Sequence, residues 1–197
     1  LQAGKRSLKK DRPDNAVQRL QQCEEAANKA KVIVDQLLTH SRKSGGKMEV
    51  LTLNDVVAAT LDFLHPQIVK EGVELTVQSE ENLRVHGNSG ELGQILTNLL
   101  LNARDAVLSR PDGPKRVQVR AYREKDTVIL EVEDSGPGVP AGSESRIFEP
   151  FYTEKEIGRG TGLGLYICRE LAEQHGGQLS LEKKPPPGAL FRLALNA

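Results

Sequence analysis

Four short stretches of the chain carry side chains that could handle a phosphorylated ligand. The first is residues 91–107, ELGQILTNLLLNARDAV. Glu91, Gln94, Asn98, Asn102 and Asp105 recur there at steps of three and four, which places them along one side of a helix. A wet face would also be polar, but asparagine is a mediocre helix former and exposed faces usually take Lys, Glu or Gln. An asparagine offers a carbonyl oxygen and an amide donor on a short stem, which suits a hard cation and phosphate oxygens. The second stretch is Asp134-Ser135-Gly136-Pro137-Gly138-Val139-Pro140, directly after VILEVE. It reads as a tight turn leaving a strand. It also suits a nucleobase, because a carboxylate accepts from an exocyclic amine and glycines let backbone approach a flat ring.

The third stretch, Gly158-Arg159-Gly160-Thr161-Gly162-Leu163-Gly164-Leu165, spaces its glycines at alternate positions before a helix. Its backbone amides can turn towards phosphate, and a helix start adds a favourable dipole. Alone such a loop is weak, and it matches neither the Rossmann nor the Walker pattern, since no strand precedes it at the right distance and no GK[ST] ends it. Between the glycine segments lies Arg146-Ile147-Phe148-Glu149-Pro150-Phe151-Tyr152-Thr153-Glu154-Lys155. Its crowded aromatics anchor a loop, either to a small satellite core or to a partner. Lys155 reads as a solvated lysine or a phosphate ligand.

The elements that must position these stretches follow from periodicity. Residues 14–43 predict one long helix, with Leu20, Cys23, Ala27, Ala30, Val34 and Leu37 on its apolar stripe and Ser44-Gly45-Gly46 as its stop. The turn signal at residues 12–15 makes residues 1–10 the end of an antiparallel partner helix. Beyond it the pattern predicts a strand at 50–53 and a helix from an Asn54 cap to about 70, with Pro66 as a kink or restart. Strands at 73–78 and 83–86 precede a helix at 89–109 whose core face is Leu92, Ile95, Leu96, Leu99, Ala103 and Ala106. A hairpin at 117–122 and 128–132, an irregular stretch at 134–160, a helix at 161–175 and strands at 178–183 and 189–195 complete the chain. Helices and strands are segregated, so the expected class is α+β, a two-layer sandwich with helices on one face of a largely antiparallel sheet.

Composition narrows the function. The 197 residues are 38% hydrophobic and 27% charged, which supports a packed core. Lys plus Arg and Asp plus Glu are 27 each, so net charge gives no argument for nucleic acid or an acidic membrane face. Cys23 and Cys168 lie far apart and match no metal or redox spacing. A reducing cytoplasm is the simplest setting. No apolar run is long enough to span a membrane, and the start lacks the apolar core of a secretion signal. Any membrane contact is therefore expected through regions outside these residues.

Taken in order, the four stretches resemble the histidine-kinase branch of the GHKL ATPase superfamily. NLLLNARDA, residues 98–106, resembles its N box, and DSGPG, residues 134–138, its first glycine box. FEPF, residues 148–151, resembles its F box, and GTGLG, residues 160–164, its second glycine box. The resemblance spans residues 48–197, and residues 14–44 resemble the second helix of the family's dimerisation hairpin. It implies the GHKL (Bergerat) ATPase sandwich at 47–197, and at 1–46 a truncated dimerisation segment that supplies the N-terminal long helix. It implies ATP and Mg²⁺ as ligands, with Asn102 on the metal and Asn98 supporting it. Asp134 would bind the adenine amine, with Gly136, Gly138, Val139 and Ile147 shaping the pocket. Lys155, Arg159, Gly160, Thr161, Gly162, Leu163 and Gly164 would face the phosphates. Asp105 stands among the contact residues where the family often has a basic or other polar side chain, which leaves its role open.

The implied function is a two-component sensor kinase that passes the γ-phosphate of ATP to a histidine, with a homodimer through the helical segment and a response regulator receiver domain as partners. The family sets its acceptor histidine, followed by an acidic residue, on the first dimerisation helix. None of His40, His65, His86 and His175 has that context. The acceptor is thus expected upstream of Leu1, and this chain should bind nucleotide without phosphorylating itself. Two other readings stay open. A GHKL ATPase would need a glutamate upstream on the N-box helix, and Glu91 stands eleven positions before Asn102. An anti-sigma serine kinase, or a degenerate scaffold that only dimerises, would fit parts of the pattern.

Overall fold

A computed structural model describes residues 47–155, 160–184 and 187–197. The long helix expected at 14–43 and its partner at 1–10 lie outside the described residues, as does Arg159. Contacts divide the chain into two units, and Thr153–Thr161 do not belong to the one that holds the sheet.

The elements of the sheet unit are strand β1 (Glu49–Thr52), helix α1 (Leu53–Lys70), strands β2 (Glu74–Ser79) and β3 (Arg84–Gly87), and helix α2 (Ser89–Leu108). Strands β4 (Arg116–Glu124) and β5 (Thr127–Asp134), a 3₁₀ turn (Arg146–Phe148), helix α3 (Gly164–Gln174) and strands β6 (Gln178–Leu181) and β7 (Leu190–Asn196) follow. The main sheet runs β2-β4-β5-β7-β6, while β1 and β3 form a small antiparallel pair. Among the described residues only β2 runs parallel to its neighbour, and its connection to β4 passes through β3 and α2.

Register explains why one sheet face holds the core. Val119 pairs with Val132 and Ala121 with Leu130 across β4 and β5. Leu130 then pairs with Leu193 and Val132 with Phe191 across β5 and β7. Alternate residues of a strand share a face, so these buried side chains form one apolar floor. Helix α2 crosses that floor with Leu92, Ile95, Leu96, Leu99 and Ala103 buried, the expected core face except Ala106, which is half-buried, together with Leu100 and Val107. The opposite sheet face carries Arg120, Tyr122, Glu131, Glu133 and Arg192, joined by hydrogen bonds and ion pairs. The two-layer α+β expectation therefore holds.

Three local expectations need correction. Helix α1 begins at Leu53, behind an uncapped Thr52, one residue before the expected Asn54 cap. Asn54 instead works across the fold: its amide donates to Ser79 Oγ at 2.8 Å and to the Glu80 carbonyl at 2.7 Å, and its carbonyl accepts from Leu83 N at 3.1 Å. That long-range set outcompetes a local cap. Pro66 lies inside an unbroken α1. It and Asp62, whose carbonyl loses its partner, are both exposed, so water can take the freed oxygen. Helix α3 starts at Gly164 rather than 161, because Gly162 adopts a positive φ of 67° that ends the preceding loop.

Leu99 is fully buried between α2 and the sheet. Leu99→Ala should lower unfolding free energy by about 2–5 kcal/mol through lost burial and a residual cavity. Urea unfolding followed by circular dichroism measures it.

Candidate nucleotide-binding site

The site grows from the end of the central strand. Asp134 closes β5 with 5% exposure, although β strands of this kind usually keep carboxylates in water. Two backbone N–H groups donate to its Oδ1, from Gly136 at 2.8 Å and from Ala189 at 3.3 Å. Both bonds land on that one oxygen. Burial pushes the Asp134 carboxyl above its ordinary range, opposed by the two N–H bonds and by Lys184. Lys184 Nζ donates to the Asp134 carbonyl at 3.2 Å and to Glu133 Oε1 at 2.7 Å, so the approach to β7 is tied to the same point.

The turn after Asp134 has no room for side chains. A Cβ on Gly136 would sit 2.8 Å from Ala106 Cβ on α2 and 2.9 Å from Asp134 Oδ1. Gly138 has φ of 82°, and a Cβ there would lie 2.9 Å from the Gly188 carbonyl oxygen. The turn thus packs directly on Ala106 and on the Gly188 backbone. Ser135 secures the turn from below: its Oγ accepts from Arg116 N at 2.9 Å and donates to the Pro114 carbonyl at 2.5 Å. Val139 is half-buried, while Ile147 and Phe148 are buried in the 3₁₀ turn. Phe148 meets Phe191 of β7 edge-on with centroids 6.4 Å apart. The expected satellite core is therefore present, whereas Phe151 of the same stretch is 69% exposed.

The polar stripe of α2 lies one turn before Ala106. Glu91, Gln94, Asn98, Asn102 and Asp105 are all half-buried, which is not the profile of a wet face. A Cβ built on Gly164, the first residue of α3, would lie 4.0 Å from Asn98 Cγ and from Asn102 Nδ2. The helix start and the two amides thus share one small space. On α2, Asn102 and Ala106 are four residues apart, about 6 Å along the axis. The asparagine amides and the Asp134 turn therefore lie side by side along one helix. Asp105 is held by its neighbour: the Arg104 guanidinium donates to its Oδ1 at 2.6 and 3.0 Å, with Glu71 on the other side of Arg104 at 3.5 Å.

Gly162 and Leu163 lead into α3. The Gly162 carbonyl accepts from Phe151 N at 2.9 Å, and Leu163 is buried. Lys155, Gly160 and Thr161 belong to the other unit. There Lys155 N donates to Thr153 Oγ1 at 3.2 Å, and a Cβ on Gly160 would lie 2.7 Å from that hydroxyl.

Sequence reasoning placed Ala106 on the core face of its helix and missed Lys184, Gly188 and Ala189. Gly188 was visible as a turn after three prolines, but nothing local says that the β6–β7 return packs against the Asp134 turn. Cys168, in α3, is fully buried, its thiol pushed up to about 12 by burial against a smaller opposing hydrogen bond with Asn98. It is an inert packing group.

Comparison with known proteins follows the same geometry. The model of the histidine kinase-, DNA gyrase B- and HSP90-like ATPase family matches residues 87–197. The sensor kinase CckA of Brucella abortus is 36% identical over 184 residues, 86% of this chain and 19% of that protein. The sensor protein ChvG of Agrobacterium fabrum is 45% identical over 122 residues, 57% of this chain and 20% of that protein. The chain thus spans about a fifth of the length of such relatives. A solved catalytic domain of the histidine kinase ThkA is 29% identical with a TM-score of 0.67, covering 76% of this chain and 95% of that one. A ThkA structure in complex with the response regulator protein TrrA reaches a TM-score of 0.71 at 25% identity, covering 87% of this chain and 48% of that one.

A raised carboxyl has a stability signature. The folded chain holds the Asp134 proton more firmly than the unfolded chain does, so this group's contribution is favourable at acid pH and is lost as pH rises through the raised value. Asp134→Asn keeps the oxygen that accepts both N–H bonds and never ionises. The ligand-free variant should melt above the wild type near pH 7, by about 2–4 °C for each kcal/mol gained. That gap should close as pH falls through the carboxylate range. Thermal melts at a series of pH values read both effects.

Proposed function

This chain belongs to the histidine kinase-, DNA gyrase B- and HSP90-like ATPase family, and from that membership we propose that it is the catalytic region of a two-component sensor histidine kinase, binding Mg²⁺-ATP and passing the γ-phosphate to a histidine. The observation that carries the reading is the meeting of Asn98 and Asn102 with Gly164, beside the turn at Asp134 and Gly136 that packs on Ala106 of the same helix.

Each group then has a task. Asp134 Oδ2 accepts from the adenine amine, and Gly136 and Gly138 offer flat backbone to the ring. Val139 and Ile147 line its edges. Asn102 supplies a carbonyl oxygen to Mg²⁺, with Asn98 orienting the neighbouring amide. The donor set fits, since Mg²⁺ takes few protein ligands and keeps phosphate oxygens and waters for the rest. When bound, the ion neutralises charge on the phosphates. Gly162, Leu163 and Gly164 present the α3 start to the polyphosphate, while for Lys155, Arg159, Gly160 and Thr161 a phosphate-binding role is what the family resemblance implies. Asp105 would repel phosphate if bare, and its bond to Arg104 offsets that charge.

Phosphoryl transfer needs positioning and charge stabilisation more than a protein nucleophile within this domain. A hydrolase would need a glutamate close to the metal. Glu91 instead stands eleven residues from Asn102, about 16 Å along the helix, and faces His175 at 3.8 Å. Of the described histidines, His65 and His86 are exposed without an acidic neighbour in sequence, and His175 is buried. The reading keeps the acceptor on the family's first dimerisation helix, since none of His40, His65, His86 and His175 has the following acidic residue that the family shows. Residues 1–46 serve as part of that dimerising segment, and a response regulator receiver domain takes the phosphate on. Among the described residues no helix is long and apolar enough to cross a membrane. The cytoplasm is the setting this reading assigns to the region.

Calorimetric titration with Mg²⁺ and a non-hydrolysable ATP analogue should give saturable binding. Asn102→Ala or Asp134→Ala should weaken it by at least about tenfold, the scale of one or two lost charge-assisted contacts. With labelled ATP the chain alone should stay unlabelled, while a separate protein bearing the family's acceptor helix should gain an acid-labile histidine phosphate. Rapid ATP hydrolysis without any phosphohistidine would replace this reading with the ATPase one.

A further inference from the structure

Helices α2 and α3 run antiparallel and touch at three levels. At one end Gly164 meets Asn98 and Asn102. Midway, Cys168 Sγ donates to the Ile95 carbonyl at 3.8 Å. At the far end stands His175, which caps α3 and has a side chain with no exposure.

The ring of His175 has a defined partner on each nitrogen. Nδ1 is 2.7 Å from the Leu171 carbonyl oxygen, and Nε2 is 3.0 Å from the Asn88 backbone N–H. A carbonyl can only accept and an N–H can only donate. The ring must therefore be neutral, with its proton on Nδ1. Asn88 is the N-cap of α2: its Oδ1 accepts from Gly90 N at 2.9 Å and Glu91 N at 3.2 Å. The residue before it, Gly87, presses so closely that a Cβ would lie 2.7 Å from the imidazole Cδ2. The ring is thus wedged between the end of α3 and the first residues of α2.

We propose that His175 is a positioning residue for the nucleotide site. In its neutral Nδ1–H form it pins the start of α2 to the end of α3, which sets the axial register of Asn98 and Asn102 against Gly164. This rests on the nucleotide-binding reading above. Helix α2 is uninterrupted from Ser89 to Leu108, so a displacement of its start is carried along to Asn98 and Asn102. An apolar side chain of similar size could fill the space of the ring, but it would remove the acceptor that the Asn88 N–H uses.

The test compares wild type, His175→Gln and His175→Leu in titrations with a Mg²⁺-bound ATP analogue. Glutamine can offer its oxygen to Asn88, and leucine cannot. His175→Gln should bind within about twofold of wild type, while His175→Leu should be about tenfold weaker. Imidazole ¹⁵N shifts of the wild type should report the Nδ1–H tautomer. Affinity in His175→Gln as weak as in His175→Leu, wild-type affinity in His175→Leu, or an Nε2–H tautomer would each overturn the proposal. If the wild type bound no nucleotide at all, the kinase reading would fail. The pin would then stand or fall on whether the Asn98 and Asn102 side-chain amide resonances move in His175→Leu and keep their wild-type positions in His175→Gln. Should His175→Leu not fold, the glutamine variant and the tautomer measurement still decide.

Discussion

A carboxylate with almost no exposure sits at the end of the central strand, and much of the sheet unit is arranged to hold it there. Leaving Asp134 buried without partners would be costly. Its two N–H donors come from the turn that follows β5 and from the strand that returns beside it. Both can reach because the sheet order β2-β4-β5-β7-β6 puts β7 next to β5 although some fifty-five residues separate them in sequence. The fold thus imposes the pairing that makes the carboxylate tolerable, and the carboxylate makes the pocket polar at one defined atom.

Helix α2 shows how a single element serves both core and site. With 3.6 residues per turn, a helix can show two faces of different character. One face of α2 is the buried run from Leu92 through Val107, which covers the sheet. The neighbouring face is the half-buried polar stripe, and Gly164 rather than water meets its middle. Ala106 stands at the border between the two. A larger residue there would displace the Asp134 turn, because Gly136 already lies against it with no space for its own Cβ. Core packing and ligand geometry are therefore coupled through one small side chain.

That coupling also explains what could and could not be read in advance. Apolar periodicity exposed α2, the β4–β5 hairpin and the segregated α+β layout, because one buried face leaves a repeat in the local sequence. The polar stripe, Asp134 and its glycines were legible because unusual residue types stood at regular spacing. Asn54 misled, since its cap-like position before an apolar run conceals bonds to Ser79, Glu80 and Leu83 that are settled by chain path. Lys184 and Ala189 were invisible for the same reason: their role exists only after β7 has returned beside β5. His175 looked like part of a helix stop, and only its tertiary partners Asn88 and Gly87 distinguish it.

The far face of the sheet bears on the pocket as well. Arg120 binds Glu131 at 3.0 Å and Glu133 at 3.2 Å, and Tyr122 donates to Glu131 at 3.0 Å. Glu131 is 5% exposed despite its position away from the helices, because these long neighbours cover it. Burial and then the bond to Glu131 push the Tyr122 hydroxyl above its ordinary range, which keeps it a donor. Lys184 continues the chain from Glu133 to the carbonyl of Asp134. A wet sheet face could have been satisfied by unconnected charges worth little individually. Here the connected set ends on the backbone of Asp134, so the cover of the outer face also braces the strand end from behind. The pocket floor is held from both sides of the sheet, by Ala106 on the helical layer and by Lys184 on the other.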